Sequence, residues 1–215
     1  MFHKKGKKKM KNENYLSING QKIEIPADKL QEIKRALGVR ESFTITENKN
    51  GEKIAKIGKY EFIVLERSGD TVSLLLKSLY KENVKFGVNN DFRGSNAQKI
   101  CREFAAEIAS IVGEDNIVEH TVDLTSDDGL RDYGTIREKC SLLTTELYRR
   151  YVDTLDLDRL DAYYWLVTPW STPRHEDSEL VKCVSPRGFI NIDGCNDDDY
   201  GVRPFLILKS NIFGS

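Results

Sequence analysis

One stretch of the chain carries a helical period long enough to dictate its own structure. Across residues 96–112 the apolar side chains Ala97, Ile100, Cys101, Phe104, Ile108 and Ile111 recur at three- and four-residue spacing, which gathers them on one face of an α-helix. Ser95 is a good N-cap, Gln98 follows three residues later as in a capping box, and Gly113 stands where a glycine ends a helix. Cys101 therefore belongs to the core rather than to chemistry. Elsewhere apolar residues alternate over short runs broken by turn-forming residues, the pattern of antiparallel strands. One long helix among many short strands makes the expected class α+β.

The strand candidates are residues 53–57, 60–66 and 71–77, separated by Gly58 and by Ser68-Gly69-Asp70, followed after the helix by residues 116–122 and 141–143. A second, shorter helix starts near Thr145 with Leu147, Tyr148 and Tyr151, and residues 163–168, 179–185, 188–192 and 202–208 return to β. At the other end, Tyr15-Leu-Ser-Ile and Gln21-Lys-Ile-Glu-Ile flank Asn19-Gly20, the dipeptide a type I′ hairpin prefers because both positions need positive φ. Pro26 then opens a helix with Ala27, Leu30, Ile33 and Leu37 on one face and Gly38 at its end. The expected organisation is a basic arm over 1–14, a hairpin-helix adaptor over 15–40 and a main domain over 43–213.

Net charge is close to zero, yet it is unevenly placed. Residues 1–15 hold six lysines and one glutamate, so the rest carries 27 basic against 33 acidic side chains and is mildly acidic. Lys-Gly-Lys-Lys-Lys before Met10 is also what a purine-rich ribosome-binding stretch encodes when translated in frame, which makes Met10 an alternative start. No apolar run approaches the roughly 20 residues of a membrane span, and no hydrophobic signal core follows the lysines. A soluble chain, cytoplasmic as synthesised, is expected, with neither membrane nor nucleic acid as partner. Cys101, Cys140, Cys183 and Cys195 form no C-x-x-C pair, and a turn at 186–188 sets Cys183 opposite Ile190 or Asn191, so free thiols are expected.

Two acidic loops are the main candidates for chemistry. Asp123, Asp127, Asp128 and Asp132 can supply oxygens to a hard cation such as calcium, the one cofactor the sequence suggests, although EF-hand spacing is missing and such residues also make turns locally. With His120, this loop is the candidate site of a metal-assisted hydrolase. Asp193, Asp197, Asp198 and Asp199 suit either paired carboxylates or a solvated loop. Neither His120 nor His175 lies in a nucleophile-elbow context. Arg203, between apolar residues, calls for a buried acidic partner. Of the aromatic cluster Tyr163, Tyr164, Trp165 and Trp170, Trp165 reads as core, whereas Trp170 lies in a proline-flanked loop suited to recognition.

Tyr60-Glu-Phe-Ile-Val-Leu-Glu, Glu119-His-Thr-Val-Asp-Leu-Thr-Ser-Asp-Asp-Gly-Leu, Trp165-Leu-Val-Thr-Pro and Tyr200-Gly-Val-Arg-Pro-Phe-Leu-Ile-Leu-Lys-Ser carry a resemblance. Over residues 43–213 the chain resembles an uncharacterised domain family of gut Firmicutes and their prophages. The C-terminal half of that family is similar to the C-type-lectin-like fold of formylglycine-generating enzymes and of retroelement-diversified variable proteins. The resemblance implies that Trp165, Pro169, Gly201, Val202, Arg203 and Pro204 are scaffold. It further implies that residues 171–200 form the binding surface, with Trp170, Arg174, His175, Glu176, Arg187, Asp197, Asp198 and Asp199 as ligand-binding residues. Ser185-Pro186-Arg187-Gly188 replaces the family's serine-aspartate-glycine turn, and Cys183 and Cys195 do not match the oxidase cysteine motif. The function implied is a non-enzymatic, prophage-encoded recognition module for a protein or carbohydrate partner, virion-associated in one setting. The metal-assisted hydrolase and a phage structural subunit are the alternatives. No oligomeric state follows.

Overall fold

The computed structural model describes residues 15–26, 29, 33 and 43–214. They belong to two compact units, residues 1–41 and 42–215. In the first, β1 (Tyr15–Ile18) pairs antiparallel with β2 (Gln21–Glu24), Ile18 facing Gln21 across the turn. Asn19 and Gly20 take φ of 49° and 80°, the double positive φ that selected this dipeptide. The basic arm, and the helix expected after Pro26 apart from Lys29 and Ile33, lie outside the described residues.

The second unit is built on a seven-stranded antiparallel sheet in the order β10 (Cys140–Ser141), β14 (Phe205–Lys209), β6 (Thr71–Leu76), β5 (Tyr60–Ser68), β4 (Lys53–Ile57), β3 (Thr44–Glu47). Since β6 occupies one edge of β14 along its length, β10 and β7 (Ile117–Val118) share the other edge end to end. The central strands of the sheet are buried on both faces, which explains the unbroken apolar run in β5. Phe62 and Val64 join Leu74 and Leu76 against Ala97, Cys101, Phe104 and Ile108 of α1 (Asn96–Val112). Ile63 and Leu65 point the other way, onto Leu143, Leu166 and Tyr148 of α2 (Thr145–Arg150) and Leu155 of α3 (Val152–Leu155). Each such large apolar side chain contributes about 1.5–3 kcal/mol when fully buried.

Helix α1 has the expected bounds, with Ser95 Oγ accepting from the Gln98 amide at 3.0 Å. The reciprocal bond of the capping box is displaced by one residue. Gln98 Oε1 accepts from Gly94 N at 2.7 Å rather than from the cap residue, and its Nε2 donates to Glu138 Oε1 at 2.7 Å.

A second antiparallel sheet runs β11 (Tyr164–Pro169), β12 (Leu180–Val184), β13 (Ile190–Gly194). The turn between β12 and β13 sets Cys183 opposite Asn191, and all four cysteines are free and buried. The expected single strand at 116–122 is instead divided. Glu119 separates β7 in the large sheet from β8 (His120–Asp123), which pairs with β9 (Thr135–Glu138), a mostly exposed strand without strong alternation. The acidic loop is thus the tip of a hairpin.

The two signature segments form the seam between the sheets, and Trp165, Pro169, Gly201, Val202, Arg203 and Pro204 are all buried. Trp165 N donates to Gly201 O at 3.1 Å, Gly201 N to Tyr163 O at 2.9 Å, and the Trp165 indole to Val84 O at 2.8 Å. Arg203 has no carboxylate partner among the described residues, contrary to the sequence expectation. Its guanidinium donates to Leu76 O at 2.8 Å, Lys77 O at 3.3 Å and the Tyr164 hydroxyl at 3.3 Å. Carbonyls left over where β6 ends supply the acceptors a buried guanidinium requires. The architecture is mixed α/β, mostly antiparallel sheet with three α-helices among the described residues. No described helix is long and apolar enough to cross a membrane.

Candidate functional site

Two segments far apart in sequence, the acidic loop and residues 171–177, are laced together. Ser171 Oγ donates to Asp128 Oδ2 at 2.6 Å, and His175 Nδ1 meets the same oxygen at 2.9 Å. Thr172 Oγ1 donates to Asp132 Oδ2 at 2.6 Å, and Arg174 pairs with the other oxygen of Asp132. Asp127 N donates to Pro169 O at 2.9 Å, while its carboxylate faces Lys182 Nζ at 3.1 Å and Arg149 at 3.7 Å. Hydrogen bonds from Ser126, then Ser171 and His175, hold the Asp128 carboxyl well below its ordinary range. Asn90, fully buried, anchors the root of this strap: Nδ2 donates to Ser171 O at 3.1 Å and Leu180 O at 3.2 Å, and Oδ1 accepts from Tyr133 at 2.6 Å.

Beside the strap an open cleft of about 430 Å³ is lined by Tyr163, Trp170, Lys182, Ile190, Asn191, Ile192, Asp193 and Tyr200. Trp170, Tyr163 and Ile192 are 39%, 41% and 38% exposed, which places three of the largest exposed apolar side chains of this unit around one opening. Trp170 N donates to Leu180 O at 2.9 Å, and Lys182 Nζ lies 4.8 Å from the indole centroid. Tyr200 stacks on buried Trp165 at 4.0 Å and hydrogen-bonds through its hydroxyl to Asp193. That bond keeps the Asp193 carboxyl below its usual range, while the Asp193 carboxyl beside Asp197 raises that of Asp197. Two other grooves of similar size are rimmed by charges that already have partners, Arg102 with Glu138 and Arg137 with Glu119 in one, Lys59 with Glu107 and Arg159 with Asp156 in the other.

The structure sorts the sequence candidates. Trp170 lines the cleft, and Asp197, Asp198 and Asp199 occupy the exposed turn between two cleft residues, Asp193 and Tyr200. Arg174 and His175 turn onto the acidic loop, Glu176 is exposed at a left-handed φ of 57°, and Arg187 lies at the β12–β13 hairpin tip. Asp123, Asp127, Asp128 and Asp132 serve different partners, Asp123 accepting from Thr125 in its own turn. Among the described residues no group of three or more His, Cys, Asp or Glu is disposed to hold a metal ion.

His120 is held by Ser141 at 3.0 Å and packs edge-on against Phe205 at 5.2 Å, and burial lowers its pKa. Ser141 Oγ also donates to Leu142 O at 2.9 Å. The Ser171 hydroxyl is bound to Asp128 and not to His175. Lys182, Asn191 and Ile192, which the sequence did not single out, reach the cleft because β12 and β13 pair in a register that sets Lys182 against Ile192. Comparison with protein-family models, with curated proteins and with solved structures finds no match.

Proposed function

We propose that the protein is a non-enzymatic recognition module whose protein or carbohydrate partner seats in the cleft of Tyr163, Trp170, Ile192 and Asp193. The observation that carries this reading is the concentration of exposed aromatic and apolar side chains, with polar Asn191 and Asp193 beside them, on a framework whose buried hydrogen bonds fix their positions. Aromatic faces supply contact area at low entropic cost, and neighbouring polar groups set orientation. The strap laced to the acidic loop anchors the chain directly after Trp170, which reduces the ordering cost of binding. In this reading the W-L-x-x-P and G-V-R-P signatures hold a lectin-like binding region between them, in keeping with a prophage-encoded recognition role.

The chain has two tryptophans, one buried and one exposed at the cleft, so emission separates them. A screen of glycans and host surface fractions by thermal shift should yield ligands that raise the melting temperature and also blue-shift Trp170 emission. Trp170→Ala should abolish both responses. Ligands that stabilise the protein equally in Trp170→Ala and leave emission unchanged would move recognition away from this cleft.

A further inference from the structure

The cleft is electrostatically one-sided. Along the strap and acidic loop, negative charges are met locally: Asp127 by Lys182 and Arg149, Asp128 by His175, Asp132 by Arg174. At the opposite margin, no described Lys, Arg or His pairs with Asp193, Asp197, Asp198 or Asp199. The three consecutive aspartates are exposed, and the turn that bears them runs from Asp193 to Tyr200, both of which line the cleft. Like charges concentrated this way oppose one another and fall in energy when a cation enters among them. Tyr163, 41% exposed, offers a ring face for the same cation.

The strand beneath adds a second constraint. β13 pairs only with β12 among the described residues, so it is an edge strand, and Ile190 to Asp193 line the cleft. An open edge accepts an extended peptide, whose alternate side chains then fall to one side.

Resting on the recognition reading above, we infer that the cleft's occupant is an extended, lysine- or arginine-bearing segment of a protein partner, laid along β13 with a cationic side chain among Tyr163, Trp170 and the Asp193–Asp199 carboxylates. A sugar would satisfy the aromatic faces but would leave the charge excess and the strand edge unused.

The test titrates the full chain with an alternating lysine-valine hexapeptide and with its glutamine-valine counterpart, following Trp170 emission. The lysine peptide should bind saturably and about tenfold more tightly than the glutamine peptide, and the preference should shrink as salt is raised. Asp197→Asn/Asp198→Asn/Asp199→Asn should erase the preference. Glu47→Gln/Asp70→Asn/Asp115→Asn, the same charge change at exposed sites elsewhere, should preserve it. All six positions are exposed, and near-UV circular dichroism checks that both variants stay folded. Equal binding of the two peptides, or equal losses in both variants, overturns the inference. Calcium alone reproducing the emission change, and losing it in the first variant, also overturns it by making the turn a cation site. A neutral glycan that shifts Trp170 while the lysine peptide does not leaves the cleft reading standing without this inference. If no probe reaches Trp170, both fall.

Discussion

A methyl group added at Gly201 would overlap Leu79 Cδ1 and lie 2.8 Å from its Cδ2 and 2.9 Å from its Cγ, so the whole end of that side chain would have to move. The constraint is steric rather than conformational, since Gly201 is not among the residues of positive φ. Both of its peptide groups are also committed, to Tyr163 and Trp165. Gly201→Ala should therefore lower stability by about 1–3 kcal/mol, read as a lower urea midpoint at unchanged slope. In a double-mutant cycle, Leu79→Ala should recover part of that loss, and strict additivity would refute the contact as its cause. The neighbouring Arg203 illustrates the limit of reading charge from sequence. Its apolar flanks made burial legible, but carbonyls at the end of β6 and a tyrosine ring, not a carboxylate, satisfy it.

Among the elements, the strap over 171–177 carries the clearest pH signature. Asp128 accepts hydrogen bonds from Ser126, Ser171 and His175 in the native state, and the carboxyl titrates below its ordinary value of 3.8. Native binds fewer protons than unfolded in that window, so the contribution of the lacing is full above about pH 5 and falls as the medium is acidified below about 4. Asp128→Asn should lower the urea midpoint at neutral pH, and the two midpoints should converge as pH drops through that range. A gap that persists undiminished to about pH 2 would assign the effect to packing instead. None of this was visible in the chain, because Asp128 and Ser171 are joined across two separate hairpins. The helix α1, by contrast, was legible to its end residues, since caps and periodicity are local properties.

At the scale of the whole molecule, β14 is the last strand in the chain and lies inside the large sheet, paired with β6 on one side and with β7 and β10 on the other. Its removal would open three ladders and expose Leu206 and Leu208, both fully buried. A chain ending at residue 204 should therefore show no cooperative thermal transition, and a native-like melt would contradict the central role of this strand. Pairing over so long a sequence separation also carries a loop-closure cost that local patterning does not reveal. Turn positions, the Asn19-Gly20 hairpin, the bounds of α1, the antiparallel character and the burial of Trp165 were all determined by the sequence itself, because each depends on neighbours within a few residues. The path of the acidic loop onto the strap, the carbonyl cage of Arg203, the edge position of β13 and the meeting of Tyr163, Trp170, Ile192 and Asp193 were decided only by tertiary structure. Those depend on which strand lies beside which, and strand partners are chosen by burial summed over the whole core rather than by any one segment.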